Sequence, residues 1–278
     1  MRTFAKVIEP HIERIGAIRT LALPWLEKAA AKCGLSRHQA ELAALELGVL
    51  PLRYLRSYGT VGLDGQLVLL RSSVAVIGLG GLGGYVAEGL ARMGLGRLVL
   101  VDGDVFMEHN LNRQILSDEP NLGRLKTEVI AERVQRINPS VETVVHPRYA
   151  TEENLPRILT GVNVVVDALD RLPTRLMLQK VASEIGIPMV HGAIAGWVGQ
   201  VMTILPGDSG LHTLYGDGPV PEQGAEAEQG CPAASPMMVA SFQVHETIKV
   251  LLNKGTLLRN RLLFIDAAFC EIHSLELG

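Results

Sequence analysis

Short apolar runs alternate with longer amphipathic runs from Val74 to the middle of the chain. The short runs are Val74–Ile77, Leu98–Val101, Val141–His146, Val162–Asp167 and Met189–His191, and the longer runs are Gly83–Met93, Leu125–Ile137 and Pro173–Ile185. Short apolar runs are typical of strands, and longer periodic runs are typical of helices. Their alternation predicts an α/β fold with a doubly wound, mostly parallel sheet.

The pattern differs on either side of this region. Residues 3–50 predict a helical extension, in which Ser36 and Gln39 form a capping box. After Trp197 we predict antiparallel C-terminal strands and one long helix. These elements are a strand at Val198–Leu205, a helix at Pro236–Asn253, and strands near Leu262–Ile265 and Glu271–Leu277. The chain therefore divides into an N-terminal extension, 1–52, and a main domain, 53–278.

Two segments carry weaker hints of function. Residues 34–39 hint at a helix-turn-helix, but no basic surface supports DNA binding, so an appendage that packs on the main domain or on a second subunit is favoured. Pro206–Ser235 is rich in Gly, Pro, Glu and Gln. Because so long an irregular segment is uncommon within a compact domain, we expect it to be functional or mobile.

Composition narrows the classes of protein to consider. The net charge of −3 favours neither a nucleic acid nor an anionic membrane as a partner. No apolar run is long enough to span a bilayer, and the first ten residues lack the apolar stretch of a signal peptide. The three cysteines lie far apart, which argues against a disulfide framework. We expect a cytoplasmic protein.

A glycine-rich turn marks the first strand–helix junction. Gly78, Gly80, Gly81 and Gly83 follow the run Val74–Ile77, and Asp102 ends the next strand. Glycines allow backbone to approach a phosphate closely, the helix N-terminus favours an anion, and the acid can accept from ribose hydroxyls. The turn makes the fold Rossmann-like and predicts an adenine nucleotide. By itself it does not distinguish NAD from ATP.

The residues after Asp102 favour ATP over NAD. Asn110, Arg113, Gln114 and Lys126 follow it, and the next strand leads to Asp170. Arg113 can fork onto phosphate oxygens, Lys126 supplies a compact charge, and a carboxylate at a strand end can bind Mg²⁺. A dehydrogenase would not need this cluster, whereas a triphosphate would use it.

These motifs resemble the ThiF/MoeB/HesA family, the bacterial relatives of ubiquitin-activating enzymes. The pattern is GxGGLG, DxD followed after five residues by NLxRQ, GxxK, and a strand ending DxxD. The resemblance extends back to Arg53–Arg56 and forward to Glu246–Lys249, and the first fifty residues lie outside it. It implies an adenylyltransferase that uses MgATP to adenylate the C-terminal glycine of a ubiquitin-like, β-grasp sulfur-carrier protein with a Gly-Gly terminus, releasing pyrophosphate. The implied setting is thiamine, molybdopterin or tungstopterin cofactor synthesis.

The resemblance also implies a role for each matching residue. The four glycines, Gly78, Gly80, Gly81 and Gly83, would form the nucleotide turn, and Asp102 would accept from the ribose. Asn110, Arg113 and Lys126 would hold the phosphates, and Asp170 would bind Mg²⁺. Arg56 matches an arginine that reaches the ATP of the partner subunit, which implies a homodimer.

Several positions depart from the family or have two readings. Relatives often bind zinc through two Cys-x-x-Cys pairs, and this chain has none, so we expect no structural zinc. Cys231 lies where relatives place a cysteine that takes part in sulfur transfer; an exposed thiol near a helix start could have a lowered pKa and act as a nucleophile. Arg171 replaces a frequent asparagine, and either a phosphate contact or altered metal affinity would follow.

Other polar residues near the motifs have structural explanations. Asp104 and Asp167 could act in catalysis or order a loop, Gln114 could orient the Asn110–Arg113 loop, and His191 is expected to be a hydrogen-bonded core histidine. Three rival functions remain. They are an NAD-dependent oxidoreductase, a non-catalytic nucleotide-binding scaffold of the same fold, and a tRNA-modifying relative.

Overall fold

Helices and strands alternate along most of the chain in the computed structural model, which describes residues 2–216, 218–222 and 224–277. The helices are α1 (Arg2–Ile8), α2 (Leu23–Cys33), α3 (Arg37–Glu46), α4 (Tyr58–Arg71), α5 (Gly81–Arg92), α6 (Lys126–Ile137), α7 (Leu155–Ile158), α8 (Leu172–Glu184), α9 (Leu211–Tyr215), α10 (Glu226–Gln229) and α11 (Ala234–Leu252). The strands are β1 (Ile12–Ile15), β2 (Ile18–Leu21), β3 (Leu50–Pro51), β4 (Ser73–Ile77), β5 (Arg97–Val101), β6 (Glu142–His146), β7 (Val164–Asp167), β8 (Met189–Ala195), β9 (Val198–Ile204), β10 (Arg261–Asp266) and β11 (Glu271–Glu276).

The central sheet has eight strands in the order β11-β10-β9-β8-β7-β4-β5-β6. The five strands from β8 to β6 are parallel, whereas β9, β10 and β11 pair antiparallel. The chain leaves β4 toward β5 and β6 and then returns to β7 on the other side of β4. A doubly wound sheet binds ligands at this kind of reversal. The predicted fold class, including the antiparallel C-terminal strands, is confirmed.

Strand β4 shows why its sequence is continuously apolar. Val74 and Val76 pack in a cluster with α5, α6 and α11, whereas Ala75 and Ile77 pack in a second cluster with α7 and α8 on the opposite face. Successive side chains of a strand point to opposite faces, so a strand covered on both faces has no polar positions to spare.

The N-terminal layer, residues 2–51, is only partly as predicted. The helical prediction was wrong over residues 12–21, which form the β1–β2 hairpin, with β3 parallel to β2. Gly16 supplies the positive φ of the tight turn, and four-residue strands are too short to show a clear period. The capping box of Ser36 and Gln39 is present at the start of α3.

A largely buried set of polar side chains, which we term the junction cluster, connects the N-terminal layer to the sheet domain. It consists of Glu41, Arg53, Tyr54 and Asn138. The Tyr54 hydroxyl donates to Glu41 Oε2 at 2.7 Å, and Asn138 Nδ2 donates to the Tyr54 hydroxyl at 2.9 Å. Arg53 lies 3.5 Å from Glu41 Oε1 and also donates to Asn138. Asn138 is the C-cap of α6, so the layer is bound to the end of that helix.

The C-terminal part follows the predicted order closely. Helix α11 and strands β9, β10 and β11 coincide with their predicted positions within two residues. The segment 206–235 is largely irregular where it is described, but it includes the short helices α9 and α10 and the first residues of α11. None of the helices in the described residues is long and apolar enough to cross a membrane.

Candidate nucleotide site

A cavity of about 780 Å³ opens at the carboxyl ends of β4, β5 and β7, where the strand order reverses. It brings together most of the residues that the sequence singled out. Gly78, Gly80, Gly81, Asp102, Asn110, Arg113, Lys126, Asp170 and Cys231 all line it. Two predicted residues are placed elsewhere. Gly83 lies in the first turn of helix α5 and does not line the cavity. Arg56 is exposed in the 3-10 turn Leu52–Ser57 and does not line the cavity either.

Two of the four glycines are required by the backbone itself. Gly78 has a φ of 86°, and a Cβ there would lie 2.7 Å from the Ala168 carbonyl oxygen. A Cβ on Gly83 would lie 1.9 Å from the carbonyl oxygen of Gly78. Gly80 and Gly81 have more room, since a Cβ on either would meet its nearest neighbour at ordinary contact distance. These two leave the backbone bare toward the cavity at the positive end of α5.

The Asp102 carboxylate is held in place by the backbone on either side of it. Oδ2 accepts from the Leu79 amide at 2.6 Å, and Oδ1 accepts from the Asp104 amide at 2.7 Å. Burial raises the pKa of Asp102, and the charge of Lys126 opposes that rise. A carboxylate oxygen can accept more than one hydrogen bond, so Asp102 retains capacity for ribose hydroxyls.

Lys126 is buried, and its Nζ lies 3.0 Å from Oδ2 of Asp104. Oδ1 of Asp104 accepts from the Tyr149 hydroxyl at 2.6 Å. Partial burial works against ionisation of Asp104, but the hydrogen bonds from Tyr149 and Lys126 outweigh it and lower the pKa of the carboxyl. Asp104 therefore both lines the cavity and orders it. We call Asp104, Lys126 and Tyr149 the cavity cluster.

The Asn110–Gln114 loop is stabilised largely by its own residues. Asn110 is buried, and its Oδ1 accepts from the Met107 amide at 2.9 Å, which closes the turn. Arg113 Nη1 donates to the His109 carbonyl at 2.7 Å and to Asn112 Oδ1 at 3.0 Å. Gln114 is buried, its Oε1 has no hydrogen-bond partner among the described residues, and its Nε2 would lie 3.6 Å from a Cβ on Gly80.

The loop after β7 presents Asp170 at the cavity edge. Arg175 Nε donates to the Leu169 carbonyl at 3.1 Å and so fixes the loop one residue before Asp170, which is exposed. Arg171 forms an ion pair with Glu222 of the segment 206–235. The sequence-based interpretations, a phosphate contact or altered metal affinity, did not include this pair. In the described residues no group of three or more His, Cys, Asp or Glu side chains is arranged to hold a metal ion.

His191 and Asp167 form a pair behind the cavity. His191 Nδ1 lies 2.7 Å from Asp167 Oδ2, and Asp167 Oδ1 accepts from the Leu169 amide at 3.0 Å. Burial lowers the pKa of His191, although its bond to Asp167 opposes the shift. The expectation of a hydrogen-bonded core histidine is confirmed. Of the two readings of Asp167, the bond to the Leu169 amide corresponds to ordering of the loop.

The chemistry of Cys231 differs from the expected lowered pKa. Its side chain is half-buried on the cavity wall, and burial raises the pKa of the thiol. The positive charge of Arg113 favours the thiolate but does not outweigh burial, and the negative charge of Glu226 adds to the rise of the pKa. A nucleophilic role for Cys231 stays a prediction, and in this conformation the thiol form is favoured.

Among the residues of the cavity wall that sequence reasoning missed are three with polar side chains: Tyr149, Arg175 and Glu226. Tyr149 follows β6 as Asp102 follows β5, so its place after a parallel strand was a usable signal. Arg175 lies in the first turn of α8, close behind the predicted Asp170. Glu226 comes from the irregular segment, and its approach to the site could not be inferred from its position in the chain.

A doubly wound sheet, a glycine turn at its strand reversal and a carboxylate after the next strand define a nucleotide-binding α/β protein. Residues 54–278 match the ThiF family, and the chain belongs to that family.

Individual relatives support the same assignment. The chain is 39% identical over 208 residues to the SAMP-activating enzyme E1 of Haloferax volcanii, covering 74% of this chain and 77% of that protein. It is 38% identical over 214 residues to the sulfur carrier protein adenylyltransferase of Thermus thermophilus, covering 74% and 79%. The fold is similar to that of E. coli MccB in its structure with ATP, with a TM-score of 0.71 and 21% identity over 81% of this chain and 72% of that one.

Proposed function

We propose that this protein uses ATP to adenylate the C-terminal glycine carboxylate of a ubiquitin-like sulfur-carrier protein, releasing pyrophosphate. The observation that carries the proposal is the convergence of Asp102, Arg113, Lys126 and Asp170 on one cavity at the strand reversal. The relatives from Haloferax volcanii and Thermus thermophilus are named for activating SAMP and a sulfur carrier, respectively.

The arrangement suits attack on the α-phosphate of ATP. A carboxylate and a phosphate are both anions, so their approach requires positive charge that is already in place. Lys126 is buried and oriented by Asp104, whereas Arg113 is only partly buried and lines the cavity. In our proposal both hold the phosphates and stabilise the charge that gathers on the leaving pyrophosphate, while Asp102 fixes the ribose.

Asp170 is suited to hold Mg²⁺ together with the nucleotide. Mg²⁺ is commonly bound by one or two carboxylates plus substrate phosphates and water, so a single exposed carboxylate beside the phosphate-binding residues fits this chemistry. When bound, the ion would neutralise phosphate charge. Arg175 would keep Asp170 in position by holding the Leu169 carbonyl.

The partner and the assembly are further parts of the proposal. We propose that the carrier ends in Gly-Gly and that the enzyme is a cytoplasmic homodimer in which Arg56 reaches the ATP of the partner subunit. Arg56 is exposed in this chain, which supports a contact with a partner subunit. Residues 53–278 would form the adenylation domain and 1–52 the extension, as the family match over 54–278 supports. The setting would be synthesis of thiamine or of a molybdopterin- or tungstopterin-type cofactor.

The test is carrier-dependent exchange between ATP and radiolabelled pyrophosphate. We expect Asp170→Ala to abolish exchange because the metal loses its protein ligand. Glu184→Ala, which removes an exposed carboxylate at the end of α8, serves as the matched control and should exchange normally. Near-wild-type exchange by Asp170→Ala would contradict the metal assignment.

Titration calorimetry separates the rival functions. Wild-type protein should bind MgATP, and binding of NADH without binding of ATP would identify an oxidoreductase instead. Binding of ATP with no exchange in the presence of any Gly-Gly carrier would identify a scaffold. Exchange stimulated by tRNA rather than by a carrier would identify a tRNA-modifying enzyme.

A further inference from the structure

Tyr149 occupies an unusual place for an exposed aromatic residue. It follows β6 at the mouth of the cavity, and its side chain is 67% exposed. A Cβ on Gly103 would lie 3.0 Å from three carbons of the ring, so the ring packs directly against that glycine. Gly103 is the middle residue of the DxD motif, and a larger residue there would displace the ring.

Each oxygen of the Asp104 carboxylate has a different partner, and the Tyr149 hydroxyl is one of them. Oδ1 accepts from Tyr149 at 2.6 Å, and Oδ2 faces Lys126 Nζ at 3.0 Å. With both oxygens engaged on opposite partners, the carboxylate cannot rotate without breaking a charge-assisted hydrogen bond. The Lys126 amide also donates to the Asp104 carbonyl at 3.0 Å, which fixes the backbones together.

Lys126 is the first residue of α6, and its side chain is only 6% exposed. Its Nζ therefore relies on the protein rather than on bulk water for a partner, and the Asp104 carboxylate lies beside it at 3.0 Å. The orientation of that carboxylate determines where the ammonium lies.

We propose that Tyr149 is a positioning residue for Lys126: its hydroxyl fixes Asp104 so that the carboxylate holds the ammonium toward the nucleotide phosphates. The inference rests on the proposed function in one respect, namely that Lys126 contacts phosphate. Tyr149 itself acts through Asp104.

The first test needs no catalytic activity. The full-length protein is treated with trinitrobenzenesulfonate in the absence of nucleotide, and modification of Lys126 is followed by peptide mass spectrometry. Tyr149→Phe should increase the rate of Lys126 modification about 3- to 10-fold, as loss of one charge-assisted hydrogen bond implies. Tyr85→Phe, on α5 and outside the cavity wall, should leave the rate unchanged.

The second test is a double-mutant cycle in pyrophosphate exchange. Tyr149→Phe should raise the KM for MgATP about 3- to 10-fold with a smaller effect on kcat, whereas Tyr149→Phe added to Asp104→Asn should have no further effect. An independent effect of the two substitutions would overturn the proposal. So would wild-type behaviour of Tyr149→Phe combined with impairment of Tyr149→Leu, since the ring rather than the hydroxyl would then act.

The two tests separate the two possible failures. If wild-type protein shows no exchange, the proposed function fails, and the labelling experiment still decides the role of Tyr149. If exchange is normal and Lys126 labelling is the same in wild type and Tyr149→Phe, the positioning role fails while the proposed function stands.

Discussion

The cavity cluster and the junction cluster are built from the same parts. In each, a tyrosine hydroxyl donates to a carboxylate that also lies beside a cation: Tyr149 to Asp104 and Lys126, and Tyr54 to Glu41 and Arg53. They differ in exposure. The Asp104 side chain is 47% exposed, whereas Glu41 is fully buried.

The pKa values of Tyr54 and Tyr149 are both raised, but for different reasons that reflect this difference in exposure. Burial raises the pKa of Tyr54 well above its ordinary value, with the charge of Glu41 adding to the effect. The pKa of Tyr149 is raised first by its hydrogen bond to Asp104, because its ring is largely exposed. The same combination of side-chain types therefore connects two layers of the protein where it is buried. Where it lines a cavity, it places a positive charge within reach of a ligand.

The strongest test of this contrast removes the cation of the cavity cluster. Lys126→Ala should lower the rate of pyrophosphate exchange about 10²- to 10³-fold, by analogy with loss of a single preorganised charge donor. The melting temperature should change little, since Asp104 can then be solvated. Lys180→Ala, which removes an exposed lysine paired with Glu152, is the control. A large loss of stability in Lys126→Ala would mean that the cavity cluster is structural after all.

The matching change in the junction cluster should have the opposite signature. Tyr54→Phe removes the two buried hydrogen bonds that the hydroxyl makes with Glu41 and Asn138, which should cost about 1–3 kcal/mol of unfolding free energy. Chemical denaturation would measure this loss, and the KM for MgATP of the folded protein should stay the same. Tyr58→Phe, at the start of α4, is a suitable comparison. Unchanged stability would show that the cluster does not fasten the N-terminal layer.

A smaller effect is expected at a third carboxylate, Asp167, whose partner is the neutral histidine His191. Burial lowers the pKa of His191 in the folded protein, so below about pH 6.5 the unfolded chain binds the extra proton. The stability this group contributes is therefore present above pH 6.5 and falls on acidification, by at most about 1.4 kcal/mol per pH unit. His191→Asn should flatten the curve of unfolding free energy between pH 6.5 and 5, and an unaltered curve would contradict this account.

The sequence predicts the elements whose causes are local. Buried parallel strands require continuous apolar runs. Gly78 and Gly83 are required because a Cβ at either position would clash with the backbone, and the glycine motif shows this requirement directly in the sequence. The β1–β2 hairpin escapes prediction because its strands are too short to establish a period.

Contacts between distant residues are a different matter. Tyr149 meets Asp104 across 45 positions, and Arg171 meets Glu222 across 51. Such pairs depend on how the strands are ordered in the sheet and on the path of the segment 206–235. Neither can be deduced from the spacing of the residues involved. The candidate site could therefore be located from sequence, but the side-chain contacts that hold its residues in place could not.

Helix α6 connects the two clusters directly, since Lys126 is its first residue and Asn138 caps its end. Its twelve residues span about 18 Å, and each residue turns the helix by about 100°. The number of residues in α6 therefore sets the rotation between its start, in the cavity cluster, and its end, in the junction cluster. Insertion or deletion of one residue would turn Lys126 by about 100° around the helix axis relative to the contacts that hold the N-terminal layer.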